Sequence, residues 1–84
     1  MDNFVVYVLW SERYLKTYTG VTSNLISRFL SHNKLGTKGW TMRYRPWRVV
    51  FVKFFIDKKD ALLFEKYLKT GAGRDWLKSN VDFN

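Results

Sequence analysis

The sequence of 84 residues contains no cysteine, which excludes a disulfide scaffold and any cysteine-based metal site. It also has no long hydrophobic run, because its most apolar stretch, residues 4–10, is far too short to span a bilayer. The start, Met1-Asp2-Asn3, lacks the basic region of a signal peptide. We therefore expect a soluble, cytoplasmic protein without a membrane partner.

Acidic residues are scarce: seven Asp and Glu stand against fifteen Lys and Arg, which gives a formal net charge of +8. Aromatic residues make up 19% of the chain. A small, basic and aromatic-rich chain is typical of nucleic-acid binding, although acidic lipid or ribosomal RNA would favour the same composition. The length predicts a single domain over residues 1–84 with a small core.

The first third of the chain predicts a β-hairpin. Residues 4–10 are apolar at every position, which indicates a strand covered on both faces. Residues 11–14 form a polar interruption of hairpin length, and residues 15–19 alternate like a partner strand. A turn centred between the second and third residues of the interruption would place Tyr7 opposite Tyr18, with both side chains on one face.

A helix is predicted over about residues 24–33, with Ser23 as its N-cap. Arg28 and His32 lie one turn apart on it, at the edge of its apolar stripe, where the helix meets the core. Taken singly, they are a solvated arginine and a surface histidine. Beside a strand that ends in Tyr18-Thr19-Gly20, the combination is the most informative feature of the sequence.

Residues 34–46 form a basic loop with two glycines, a proline and interleaved aromatic side chains. Such a loop can follow a phosphate backbone while Trp40 or Tyr44 stacks on a base. It can equally be a solvated connection in which one of these rings closes the edge of the core, and both interpretations stay open. The candidate nucleic-acid-binding residues are Lys34, Lys38, Trp40, Arg43, Arg45 and Arg48.

The second half of the chain predicts a strand and two helices. Residues 47–56 are rich in β-branched and aromatic residues, as strands are. Asp57 is a good N-cap for a helix over about residues 58–69, and Gly71 is a good C-terminal stop for it. A short last helix is predicted over residues 73–79.

Glu65 points beside the apolar face of the first of these helices, where glutamate is uncommon. A structural interpretation is available, because a glutamate at the rim can pair with Lys69 one turn further along. The alternative is a functional carboxylate. The spacing alone leaves both open.

With these residues identified, the chain resembles a GIY-YIG nuclease domain over about residues 3–79. It is most similar to the small standalone members with a UvrC-like (URI-type) catalytic domain. Val5-Val6-Tyr7 stands at the GIY motif and Tyr18-Thr19-Gly20 at the YIG motif, with the two tyrosines eleven residues apart. The further matches, all in predicted helices, are Arg28, His32 and Glu65.

The resemblance implies an α+β fold: a small three-stranded antiparallel sheet flanked by helices, in the order β-β-α-β-α-α. It implies a metal-dependent endonuclease that hydrolyses phosphodiester bonds in DNA with Mg²⁺ or Mn²⁺. With no separate recognition domain in the sequence, we expect low sequence specificity. Branched, nicked or single-stranded DNA are possible substrates, and DNA repair or recombination is the expected setting.

The resemblance also implies roles for individual residues, which we expect to converge on one concave face. Glu65 would hold the metal ion, which usually keeps several waters and few protein ligands. Arg28 would bind the phosphate and stabilise the transition state. Tyr7 is the expected general base, its pKa lowered by Arg28 and the metal, while Tyr18 and His32 would orient the water or relay its proton.

Two other functions remain open. A nucleic-acid-binding module could keep the fold and the basic groove with weak or no catalysis, although five matching polar positions favour the enzyme. A structural RNA-binding protein would use the basic loop but would give Glu65 no role, because a carboxylate repels phosphate unless a cation lies between them.

Overall fold

The computed structural model describes residues 3–30 and 43–83. Within them, the strands β1 (Phe4–Ser11), β2 (Lys16–Thr22) and β3 (Arg48–Phe55) form an antiparallel sheet in the order β2-β1-β3. The central position of β1 explains its apolar sequence, because residues 5–9 are buried whichever face they point to.

The hairpin register differs from the predicted one. Tyr7 pairs with Gly20, and Tyr18 pairs with Leu9. The predicted pairing of Tyr7 with Tyr18 is wrong because the turn occupies residues 12–15 and is centred one residue later than expected. The resulting slip is two residues long, so it leaves both tyrosines on the same face of the sheet.

The helices are α1 (Leu25–Leu30), α2 (Lys58–Leu68) and α3 (Gly71–Asn80). The element order of the described residues is therefore β-β-α-β-α-α, which confirms the predicted fold class. None of the helices found in residues 3–30 and 43–83 is long and apolar enough to cross a membrane.

The helix caps explain where α1 and α2 begin. The N-cap of α1 is Asn24, whose side-chain oxygen accepts a hydrogen bond of 3.1 Å from the backbone N–H of Ser27. Ser23, the predicted cap, lies one residue too early. The cap of α2 is Asp57, as predicted, and its carboxylate accepts from the backbone N–H of Lys59 at 3.1 Å.

The predicted stop at Gly71 is wrong, because Gly71 is the first residue of α3. The chain turns between the two helices at Lys69 and Thr70, and the Thr70 hydroxyl caps α3 by accepting from the backbone N–H of Gly73 at 3.1 Å. A Cβ atom on Gly73 would overlap the backbone of Tyr67 and Leu68. Glycine is therefore required at position 73 by the close approach of α2 and α3.

The two faces of the sheet carry two separate clusters of buried residues. On one face, Val6 and Val8 pack against Ala61, Leu68 and Leu77 of α2 and α3. The cluster on the other face has Val5, Tyr7, Leu9 and Trp47 as its buried members, with Tyr18, Leu25, Phe29 and Tyr44 packed against them. The second cluster is the one that carries the polar groups of the motifs: the tyrosine hydroxyls and, beside them, Arg28.

Candidate active site

The side chain of Tyr7 lies across the edge strand β2, in the space that Gly20 leaves free. Tyr7 is completely buried, and Gly20 is its partner in the strand register. A Cβ atom on Gly20 would lie 2.5 Å from the Tyr7 hydroxyl oxygen and 2.7 Å from Cζ of the ring. The last residue of the Tyr-Thr-Gly motif must therefore be glycine for the Tyr7 hydroxyl to extend over β2.

Tyr18 and Arg28 meet the Tyr7 hydroxyl on this face. The ring of Tyr18 lies with its centroid 6.3 Å from that of Tyr7, at an angle of 39°. Helix α1 packs Leu25 and Phe29 against the same cluster. This contact places Arg28 where its guanidinium donates a hydrogen bond to the Tyr7 hydroxyl. Arg28 is otherwise exposed, so a phosphate from solvent can reach it.

Burial raises the pKa of Tyr7 above its ordinary value of about 10. The hydrogen bond and charge of Arg28 act in the opposite direction, and the neighbouring Tyr18 and Glu65 add to the increase. The contact with Arg28 therefore acts in the expected direction, and the contribution expected from a bound metal stays a prediction. In the protein by itself, burial of the Tyr7 hydroxyl raises its pKa by more than Arg28 lowers it.

Glu65 approaches the Tyr7 hydroxyl from the opposite face. Helix α2 packs on the other side of the sheet from α1, but it also contacts the edge strand β2, over which Tyr7 extends. The Glu65 carboxylate is near enough to affect the pKa of Tyr7. Of the described candidates, Tyr7, Tyr18 and Arg28 therefore meet on the α1 face near the edge strand β2, and Glu65 lies on α2, across this edge.

Glu65 also forms the ion pair expected from its structural interpretation. Lys69 Nζ lies 3.1 Å from Glu65 Oε2, with 54% of the lysine side chain and 18% of the glutamate side chain exposed. A pair with so exposed a lysine is screened by water and contributes about 0–1 kcal/mol to stability. It is therefore a weak obstacle to a cation that approaches the carboxylate.

The carboxylate of Glu65 fits an open site for Mg²⁺ or Mn²⁺. Residues 3–30 and 43–83 contain no group of three or more side chains of the metal-ligating types, so this part of the chain offers no closed protein cage for a metal. Mg²⁺ does not need one, because it binds through one or two carboxylates together with waters and substrate phosphates. The Glu65 carboxylate carries hard oxygen atoms of the type that Mg²⁺ prefers, and it lies near enough to Tyr7 to affect its pKa.

The other predicted residues are only partly within the described residues. Arg43 is exposed, and Arg45 is half-buried. Arg48 Nη2 donates to the backbone carbonyl of Phe83 at 2.7 Å, so part of its guanidinium has a structural contact. The predicted residues that lie outside the described residues are His32, Lys34, Lys38 and Trp40.

Of the two aromatic residues proposed for the basic loop, Tyr44 is described. It packs against the cluster that contains Trp47, and its ring lies edge-on to Tyr14 with centroids 5.5 Å apart. Lys16 Nζ lies 5.7 Å from the centroid of the Tyr44 ring. These contacts favour the interpretation in which Tyr44 closes the edge of the core.

One cation near the site was missed by the sequence analysis. Arg74, in α3, lines a cavity beside Tyr18 together with Lys69. A lone arginine on a helix surface is ordinary in sequence, so no signal in the sequence marked Arg74 as part of the site. Its proximity to Tyr18 depends on how α3 docks on the sheet.

The fold and the strand-edge cluster together define a small basic α+β domain with the motif residues of a nuclease. A family model described as the GIY-YIG catalytic domain matches residues 3–78, which is most of the chain. The protein therefore belongs to the GIY-YIG nuclease family, as its motifs indicate.

A solved structure supports the same assignment. The chain is similar to the UPF0213 protein BH0048 from Bacillus halodurans, whose structure was determined in solution by NMR. The two are 26% identical over 92% of this chain and 83% of that chain, with a TM-score of 0.56. No curated protein matches significantly.

Proposed function

We propose that the protein is a metal-dependent endonuclease that hydrolyses phosphodiester bonds in DNA. The observation that carries this proposal is the cluster at the β2 edge. There the hydrogen-bonded pair of Tyr7 and Arg28 lies beside Tyr18 and within electrostatic range of Glu65. The net charge of +8 supports a polyanionic substrate.

Arg28 binds the phosphate that is cleaved. Its guanidinium is planar and always charged, and it is both exposed and held in place by the Tyr7 hydroxyl. A positioned cation of this kind stabilises the negative charge that develops on the phosphate oxygens in the transition state. Phosphate binding and orientation of Tyr7 therefore depend on the same side chain.

Glu65 holds the divalent cation, Mg²⁺ or Mn²⁺, and gives up its contact with Lys69 to do so. When bound, such an ion polarises the phosphate and stabilises the leaving oxygen. A carboxylate alone in a basic groove repels DNA, so Glu65 has a favourable role in substrate binding only together with a cation.

Tyr7 acts as the general base, and Tyr18 and His32 orient the attacking water or relay its proton. Because the pKa of Tyr7 is raised by burial, the hydroxyl holds its proton at neutral pH in the free protein. The fraction of Tyr7 that can accept a proton therefore increases with pH, and the cleavage rate should increase with it through the neutral and alkaline range.

The basic residues Lys34, Lys38, Arg43, Arg45 and Arg48, with Trp40, complete the DNA-binding surface. Contacts of this kind are made to the backbone and carry little sequence information. The resulting activity is of low sequence specificity and decreases steeply with salt. It suits cytoplasmic DNA repair or recombination, where the shape of the DNA matters more than its sequence.

The deciding experiment uses matched carboxylate variants of α2. Glu65→Gln removes the proposed metal ligand, and Asp60→Asn removes an equal charge from the first turn of the same helix. DNA cleavage is followed for both and for the parent with Mg²⁺, with Mn²⁺ and with EDTA. We expect Glu65→Gln and EDTA each to abolish cleavage and Asp60→Asn to cleave like the parent.

Binding to DNA separates the enzyme from a module without catalysis. Glu65→Gln should bind DNA as tightly as the parent or more tightly, because a negative charge leaves the groove, whereas Arg28→Ala should lose cleavage and some affinity. The Glu65–Lys69 ion pair favours the second candidate, an inactive binding module. A parent protein that binds DNA and fails to cleave it with either metal would establish that module instead, and equal cleavage by Glu65→Gln would contradict the proposed metal site.

A further inference from the structure

Two adjoining cavities extend from the candidate active site along α3. The first, of about 310 Å³, opens beside Tyr18 and is lined by Lys69 and Arg74. The second, of about 340 Å³, is lined by Trp10 and Phe83. The cavities have Thr17, Arg74 and Leu77 in common, so they adjoin, and we call the two together the α3 groove.

The half of the α3 groove next to Tyr18 is cationic. Lys69 is more than half exposed, and Arg74 is exposed. Within the described part of the chain, the Arg74 guanidinium has no hydrogen-bond or ion-pair partner, and no carboxylate lines either cavity. Thr17 and Thr19 add hydroxyl groups to the lining. An unpaired arginine and a lysine held only by an exposed ion pair, with hydroxyl groups beside them, match a phosphate.

The other half of the α3 groove is aromatic and apolar. The rings of Trp10 and Phe83 meet edge to face, with centroids 5.1 Å apart. Leu77 lies between this half and the cationic half, and Lys78 adds a further cation. An aromatic surface beside backbone-binding cations is the arrangement with which proteins bind exposed nucleobases.

We propose that the α3 groove binds the nucleotide next to the cleaved bond, with its phosphate at Lys69 and Arg74 and its base against Trp10 and Phe83. This inference rests on the proposed endonuclease function, because Lys69, which lines the groove, contacts Glu65 of the candidate active site. A base in an intact duplex is stacked and paired, so the base that enters this pocket must be unpaired. The preferred substrate is therefore DNA with an unpaired nucleotide beside the cleaved bond.

The position of Lys69 couples the groove to the metal site. In the free protein Lys69 neutralises Glu65. When a DNA phosphate binds Lys69, the Glu65 carboxylate becomes available to a cation, and a cation on Glu65 likewise releases Lys69 toward the phosphate. DNA and metal should therefore each increase the affinity for the other.

The test compares a blunt DNA duplex with the same duplex that carries a single-stranded extension. Affinity is measured by fluorescence anisotropy in EDTA, so that cleavage does not interfere. We expect the parent to bind the extended DNA about tenfold more tightly, as one stacked base allows. Arg74→Gln should lose this preference. Lys58→Gln, which removes an equal charge at the start of α2, should weaken both complexes to the same small extent.

Phe83→Ala tests the aromatic half without a change of charge. It should lose the preference for the extended DNA and keep the affinity for the blunt duplex, with its folding checked by thermal melting. Equal affinity of the parent for the two DNAs, or equal effects of Arg74→Gln and Lys58→Gln, would overturn the proposal. Tighter binding of an RNA extension than of the DNA extension would overturn its assignment to DNA.

A cleavage assay with Mg²⁺ or Mn²⁺ distinguishes failure of the groove proposal from failure of the proposed endonuclease function. If the parent prefers the extended DNA but cleaves neither DNA, the groove remains a supported binding site and the endonuclease proposal fails. If the parent cleaves both DNAs and binds them equally, the endonuclease proposal is supported and the proposed nucleotide site in the groove is contradicted.

Discussion

The two faces of the sheet differ in what they bury. The face under α2 and α3 buries mainly apolar side chains, with Val6 and Val8 at its centre and Thr19 as a buried polar member. The other face buries Tyr7, a residue with a hydroxyl that must find a polar partner, and finds it in the exposed Arg28. One central strand therefore supplies apolar side chains to one face and the Tyr7 hydroxyl to the other, because its side chains alternate between the faces.

This division predicts that substitutions on the two faces have separable effects. Changes in the apolar cluster should lower the free energy of unfolding and leave the activity of the folded molecules unchanged. Changes around Tyr7 should affect activity more than stability. A substitution at Gly20 should affect both stability and activity, because the absence of a side chain there makes the space in which the Tyr7 side chain lies.

The largest effect on stability is expected from Phe64→Ala. Phe64 packs against the rings of Phe51, Phe55, Tyr67 and Trp76, with centroids 5.6–6.2 Å away. Phe64 is partly buried, so its removal loses these ring contacts, and we expect the free energy of unfolding in urea to decrease by about 3 kcal/mol, the low end for loss of a phenylalanine side chain. Cleavage per folded molecule should match the parent. A loss of cleavage by folded protein would contradict the separation of the two faces.

A smaller effect is expected from Gly20→Ala, compared with Gly71→Ala as the matched control. A Cβ atom at position 20 displaces the Tyr7 hydroxyl, whereas a Cβ at position 71 meets no atom within 4 Å. We expect Gly20→Ala to lose about 1–3 kcal/mol of stability and most of the cleavage activity. Gly71→Ala should keep both. Equal behaviour of the two variants in melting and cleavage assays would show that the packing of Tyr7 over Gly20 is unimportant.

The smallest effect on stability is expected in alkaline solution and concerns Tyr7→Phe. The pKa of Tyr7 is raised on folding, so the unfolded chain loses this proton at a lower pH than the native protein does. The stabilisation is complete below the unfolded pKa of about 10 and is lost as the pH rises through the native value. The parent should therefore lose more stability above pH 10 than Tyr7→Phe, as measured by urea unfolding. Identical alkaline profiles would contradict the raised pKa.

Several features of the fold could be predicted from local sequence. The apolar run of β1 predicted a strand buried on both faces, and Asp57 was correctly placed as the cap of α2. These predictions depend only on neighbouring residues, since burial pattern and capping are properties of a short segment. The predictions for Ser23 and Gly71 rested on the same local reasoning and were wrong, because a better cap lay beside each residue. The cap of α1 is Asn24, and the cap of α3 is Thr70.

The sequence by itself determined the family, the order of the elements and the candidate residues Tyr7, Tyr18, Arg28 and Glu65, because these follow from motifs, periodicity and spacing. Only the tertiary structure decided that Tyr18 and Arg28 meet Tyr7 on one face of the sheet, while Glu65 lies on a helix of the other face and acts on Tyr7 as a nearby charge. It also decided the upward shift in the pKa of Tyr7, because desolvation depends on every atom packed around the hydroxyl. The α3 groove has the same origin: its cations come from segments far apart in sequence from Trp10 and Tyr18, and the docking of α2 and α3 on the sheet brings them together.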